Sequence, residues 1–261
     1  MALNPWWGEV ELPDRGYRSL RLGPMELLLS RASGVLQVAW RSRGDPLSEA
    51  QAWSVLDTWE APPGFEVRRF AAGSGSIRLH PRLPDRFVVA RPEQHMVVPA
   101  GSTLVAYLSS PLWLALSEGD TLLADLPVSR PSDTWFGPST MEGHLGYALR
   151  TKLLTSLERL RVRSHRAISR ITIENRSPMP LGITRLRLPM ADLALFAGAT
   201  AVWTEELKLV RGDDGDTDQV DIGAGAPAEA GSVTALASPR DGSRQSPIVR
   251  VFNALFSGLE R

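Results

Sequence analysis

The stretch SDTWFGPSTMEGHLGYALRT, residues 132–151, holds the most unusual set of chemically capable side chains in the chain. Glu142 and His144 are separated by a single glycine, so in an extended loop both project from one side. A carboxylate beside an imidazole is an acid–base pair. Trp135 and Tyr147 are suited to stacking on a sugar ring or a nucleobase. Asp133 and Arg150 would supply charges to orient a polar ligand. The plainer alternative puts Trp135 in the core beneath the loop and uses the polar side chains to satisfy a long loop's backbone.

A second candidate is LERLRVRS, where Arg159, Arg161 and Arg163 alternate with Leu160 and Val162. That alternation predicts a strand with three guanidinium groups on one face. The face is either solvated and salt-bridged or a surface for an anionic partner. Three phosphate contacts alone would hold nucleic acid weakly at physiological salt, and no aromatic residues interleave for base stacking, so no nucleic-acid partner is expected.

Other chemistries lack their residues. His80, His95, His144 and His165 are scattered, with no H-x-H or H-E-x-x-H pair, so no metal or cofactor is expected. DGDTDQVDIGAG, from Asp214, has Gln219 where a calcium loop needs glycine and Gly225 where it needs glutamate, and reads as a solvated turn. GSGS at 73–76 has the wrong spacing for a nucleophile elbow. Zero cysteines exclude disulfides, thiolate nucleophiles and iron–sulfur chemistry.

The elements that must position these residues are short. Twenty-two glycines and 20 prolines punctuate the 261 residues. YRSLRLG, MELLLSR, VLQVAWR, FEVRRF, SIRLH, RFVVAR and TLVAYL each read as a strand, with turns about every 8–12 residues. LWLALSEGDTLLADL reads as a hairpin turning at SEGD, and a second hairpin is expected across GDDGDT. The expected class is all-β, with β-sandwich-like antiparallel sheets in two β-rich halves, 1–130 and 131–261, either separate or sharing one core. LSEAQAWSVLDTW, 47–59, is compatible with a short helix. One amphipathic C-terminal helix is expected in SPIVRVFNALFSGLE. There Ser246 would cap it, Pro247 would open it, and Ile248, Val249, Phe252, Leu255, Phe256 and Leu259 would form its apolar stripe.

Twenty-nine basic residues balance 29 acidic ones, so no long-range field draws the chain to nucleic acid or anionic lipid. No uncharged apolar run approaches 18 residues, and MALNPWWGEVELPD has neither the basic nor the apolar region of a secretion signal. A cytoplasmic protein with no membrane span is expected.

LPDRFVVARP (83–92), SSPLWLAL (109–116), the 132–151 stretch, ITIENRSPMPLGITRLRLP (171–189) and VWTEELKLVR (202–211) resemble, in order, a prokaryotic family known as domain of unknown function 432. The resemblance brings no established activity, cofactor or catalytic residue. Members of that family are often encoded beside small-conductance mechanosensitive channel genes, so the resemblance implies an accessory role with a channel as a candidate protein partner. Two readings stand. One is a non-catalytic β-rich binding or accessory protein acting through a protein partner. The other is a small-ligand or carbohydrate-binding protein, or an enzyme, using the Glu142–His144 loop with Asp133 and Arg150.

Overall fold

The computed structural model describes residues 2–43, 45, 48–58, 61–71, 73, 76–137, 141–214, 217–240, 249–252 and 256–257. Strands take up 56% of these residues and short 3-10 turns 4%, so the protein is all-β. Near the N-terminus, Gly16–Leu22, Met25–Ala32 and Val35–Ser42 form a meander flanked by Gln51–Val55 and Glu66–Ala71. Its tight turns fall at Gly23 (φ 54°) and at Ser33–Gly34 (φ 52° and 72°), left-handed conformations that two-residue hairpin turns require. Trp113–Glu118 and Thr121–Pro127 make the expected hairpin, turning at Gly119 (φ 56°), and pair onward through Ile77–Arg82 to Gly8–Val10.

The spine of the second half is Arg166–Asn175. It pairs antiparallel with Thr103–Pro111 over nine residues on one side. On the other it pairs parallel with Val202–Thr204 and Leu207–Arg211. A third sheet orders Ser132–Phe136, His144–Leu153, Val88–Pro92 and Arg185–Leu188. Hydrogen-bonded pairing therefore crosses position 130 in both sheets, and one apolar cluster runs from Trp6 through Leu108 and Ile171 to Val220. Among the described residues, no helix is long and apolar enough to cross a membrane.

Three expected elements differ. Val249–Phe252 and Phe256–Ser257, the described part of the expected C-terminal helix, are strands that pair with Thr217–Ile222 and Arg185–Leu188. Ser246, Pro247, Ile248, Leu255 and Leu259 lie outside the described residues. The physical reason is an available edge: Thr217–Ile222 has a free ladder, and the β-branched, alternating V-R-V-F suits it better than a short helix does. Gln51–Val55 is likewise a strand, taken up by the edge of Gly16–Leu22.

LERLRVRS forms a 3-10 turn, Leu157–Arg159, followed by irregular chain rather than a strand. Among the described pairings no ladder takes up this segment: Thr103–Pro111 pairs with Arg166–Asn175 on one flank and carries only the isolated Tyr107–Leu154 bridge on the other. Without strand pairing the alternation has no hold: Val162 is 45% exposed while Arg163 is buried.

Candidate functional site

The 132–151 segment is a hairpin of Ser132–Phe136 and His144–Leu153, with Asp133 opposite Tyr147, Trp135 opposite Leu145 and Phe136 opposite His144. Directly opposed residues share a face of a sheet. Asp133, Trp135 and Tyr147 therefore lie on one face, and His144 on the other beside Phe136. Phe136 is the residue turned inward, which sends its neighbour Trp135 out to 42% exposure. The expectation of a buried Trp135 is thus overturned by the two-residue period. Its indole lies against Gly143 instead, where a Cβ would approach the ring to 2.8 Å.

Tyr147 donates a hydrogen bond to Asp85 Oδ1 at 2.9 Å, and Asp133 sits 3.6 Å from Arg86. Burial, and after it Asp85, pushes the Tyr147 phenol up to about 12. Glu142 and His144 are both exposed at the loop end of the hairpin. The six candidates are not gathered at one place. Tyr147 lines a cleft of about 380 Å³ with Trp40 and Trp113, whereas Arg150, farther along the same strand, lines another.

That second cleft, about 400 Å³, reunites the other sequence candidates. Arg150, Arg159, Arg161 and Arg163 all line it, joined by Arg130, Lys152 and Arg166. Against seven cations the lining offers two carboxylates, Asp45 and Glu93, and Glu93 is already paired with Arg159 at 2.7 Å. Its walls come from the end of His144–Leu153, the end of Thr103–Pro111, the 3-10 turn and the connector leading to Arg166. The connector is pinned from behind. Trp6 Nε1 donates to the Ser164 carbonyl at 2.8 Å, and the Leu112 amide donates to the His165 carbonyl at 3.0 Å. The fully buried His165 ring lies so close to Gly23 that a Cβ there would come within 2.7 Å of it.

At the base of the cleft Arg166 is only 5% exposed. Its Nε donates to Ser109 Oγ at 2.8 Å, and its Nη2 donates to the Ser109 carbonyl at 2.5 Å and to Thr151 Oγ1 at 3.1 Å. Thr151 in turn donates to the Ser109 carbonyl at 2.6 Å, which locks the geometry. No carboxylate among the described residues pairs with this guanidinium. Burial first, and the Arg163 charge second, pull it down to about 10. Arg163, also buried, lines the cleft beside it. A buried cation without a counter-charge is costly, and an anionic ligand offsets that cost. Among the described residues, no three His, Asp or Glu side chains converge to hold a metal ion.

A family model described as a protein of unknown function, DUF432, matches residues 6–257. The chain belongs to the DUF432 family. Comparison of this DUF432 protein with curated proteins and with solved structures returned no match.

Sequence reasoning selected Arg150, Arg159, Arg161 and Arg163 but missed Arg166, Arg130 and Lys152, and with them Ser109 and Thr151, which hold Arg166 in place. A signal was present. Between Arg150 and Arg166 the DUF432 sequence carries six basic residues and one acid, Glu158, within a chain of zero net charge. Ser109 and Thr151 had no such signal, because their role arises only where two strands meet.

Proposed function

We propose that this DUF432 protein is a non-catalytic binding protein that recognises an anionic group in the cleft around Arg166 and acts through a protein partner. The observation that carries the reading is Arg166 itself: buried, fixed by Ser109 and Thr151, and without a carboxylate among the described residues. Other part-buried arginines of the fold are paired with carboxylates, Arg31 with Glu118 and Arg211 with Asp218. An accessory role beside a mechanosensitive channel, implied by the family resemblance, is a partnership of this kind.

The test has two arms. Melting is measured in sulfate, citrate and pyrophosphate against chloride at matched ionic strength, for wild type and for Arg150→Gln/Arg161→Gln. Sulfate also stabilises by exclusion from the protein surface, so the difference between the two proteins is the readout. Wild type should gain more than the variant; equal gains would remove anion recognition. In the second arm, wild type is used to capture partners from native membranes and cytosol, with identification by mass spectrometry. A partner that survives Glu142→Ala/His144→Ala and is lost on Arg150→Glu/Arg161→Glu supports the reading. The reverse pattern would favour the Glu–His loop.

A further inference from the structure

We infer that the cleft around Arg166 is a site for a small phosphorylated organic molecule, in which a phosphate meets Arg166 and an apolar body rests on the facing wall. The inference deepens the anion-recognising reading above and rests on it. Four observations support it.

The first is the donor that remains. A guanidinium has five N–H groups. In Arg166 the Nε–H and the Nη2 group donate to Ser109 and Thr151, and no acceptor among the described residues takes the Nη1 hydrogens. Arg166 thus lines the cleft with its Nη1 hydrogens still to be satisfied. The second is charge density. Arg130, Arg150, Lys152 and Arg161 line the same space, and none of them forms an ion pair among the described residues. One carboxylate answers a single cation, whereas a phosphate monoester carries between one and two negative charges and three acceptor oxygens in one compact group.

The third is size. A cleft of about 400 Å³ is at the small end of the range for metabolite sites, about 300–1,000 Å³. The fourth is the wall. Pro111, Leu149, Leu154 and Leu160 line the cleft together with the cations, so a bare inorganic ion would leave apolar surface uncovered.

The experiment is calorimetric titration of the full chain with phenyl phosphate, inorganic phosphate, benzoate and citrate. Phenyl phosphate should bind about tenfold or more tightly than inorganic phosphate or benzoate, the scale of one additional charge-assisted or apolar contact. Arg166→Lys keeps the charge but cannot bridge Ser109 and Thr151 while reaching the cleft, and should weaken phenyl phosphate by about tenfold or more. Arg150→Gln/Arg161→Gln alters exposed side chains only; it should fold normally, weaken binding and reduce its salt dependence. Vesicles of phosphatidylcholine with phosphatidic acid separate the sources of the phosphate. Cleft-dependent sedimentation with them assigns a lipid headgroup, and binding of phenyl phosphate without sedimentation assigns a soluble ester. Citrate or benzoate binding as tightly as phenyl phosphate overturns the phosphate assignment while leaving anion recognition standing. Absence of binding by every anion overturns both.

Discussion

Arg166 and Arg170 sit four residues apart on one strand and, by the two-residue period, on the same face, about 13 Å from one another. Their surroundings are opposite. Arg170 reaches Glu206 and Glu229, and Tyr107 donates to the same Glu229 at 2.9 Å. Burial alone would lower its guanidinium, but Glu206 and Glu229 outweigh burial and hold it above its ordinary value. Arg166 has hydroxyls and a carbonyl in place of carboxylates, and burial pulls it down. Between them stands Ile168, 2% exposed, in a small apolar cluster with Tyr107, Leu160 and Trp203. One strand face thus carries a closed ion-pair cluster and an open cation, separated by an apolar partition. The closed cluster stabilises the fold. The open one stores an electrostatic cost that the proposed anionic ligand would relieve.

The partition gives the largest test. Ile168→Ala should cost about 2–5 kcal/mol, or roughly 4–20 °C of melting temperature at about 2–4 °C per kcal/mol. An unchanged melting temperature would mean that the two regions are not separated by packed side chains. Next, Arg170→Met should cost about 1–2 kcal/mol in urea unfolding, because it strands two carboxylates. The loss stays below the 3–5 kcal/mol of a fully buried pair, since Glu206 and Glu229 are about a third exposed. Arg166→Met should instead lie within about 1 kcal/mol of wild type, or above it, because it removes an uncompensated buried charge while Thr151 still satisfies the Ser109 carbonyl. A loss above about 3 kcal/mol would make Arg166 a structural residue and dissolve the contrast.

Alkaline pH sharpens the comparison further. Arg166 is lowered from 12.5 to about 10, so above pH 10 the unfolded chain holds a proton that the native state has shed, and this group makes stability rise with pH. Tyr147 is raised from 10.0 to about 12, so over the same window the native state holds a proton that the unfolded chain has lost, and stability falls. The two oppose one another in wild type. Arg166→Met should therefore lose stability more steeply than wild type between pH ~9 and ~11, as read by urea midpoints. A parallel decline in the two proteins would mean that Arg166 titrates as an exposed arginine does. The smallest effect is expected outside both regions: Glu142→Ala and His144→Ala should each stay within about 0.5 kcal/mol of wild type, as exposed positions do. A larger loss would assign the loop a structural hydrogen-bonding role.

Much of the frame was legible. The meander from Gly16 to Ser42, the hairpin through Gly119 and the hairpin of Leu207–Arg211 with Thr217–Ile222 follow from alternation and turn residues, which act over a few positions. The sequence left both readings of Trp135 open because it shows that one of two adjacent aromatics turns inward, but not which; the register with His144–Leu153 selects Phe136. The C-terminal segment was misread because its apolar spacing satisfies a helical stripe, and only an edge at Thr217–Ile222 makes extended backbone the better partner.

By itself the sequence determined an all-β chain without cysteine chemistry, and a basic run from Arg150 to Arg166 in an otherwise balanced composition. Composition, period and turn chemistry are local properties, readable one segment at a time. Tertiary structure alone decided which of those cations are neutralised. Ion pairing depends on carboxylates brought from distant strands, as Glu206 and Glu229 are brought to Arg170 and none among the described residues is brought to Arg166. The interaction falls off over a few ångströms, so residues four apart on one strand are left in opposite electrostatic states.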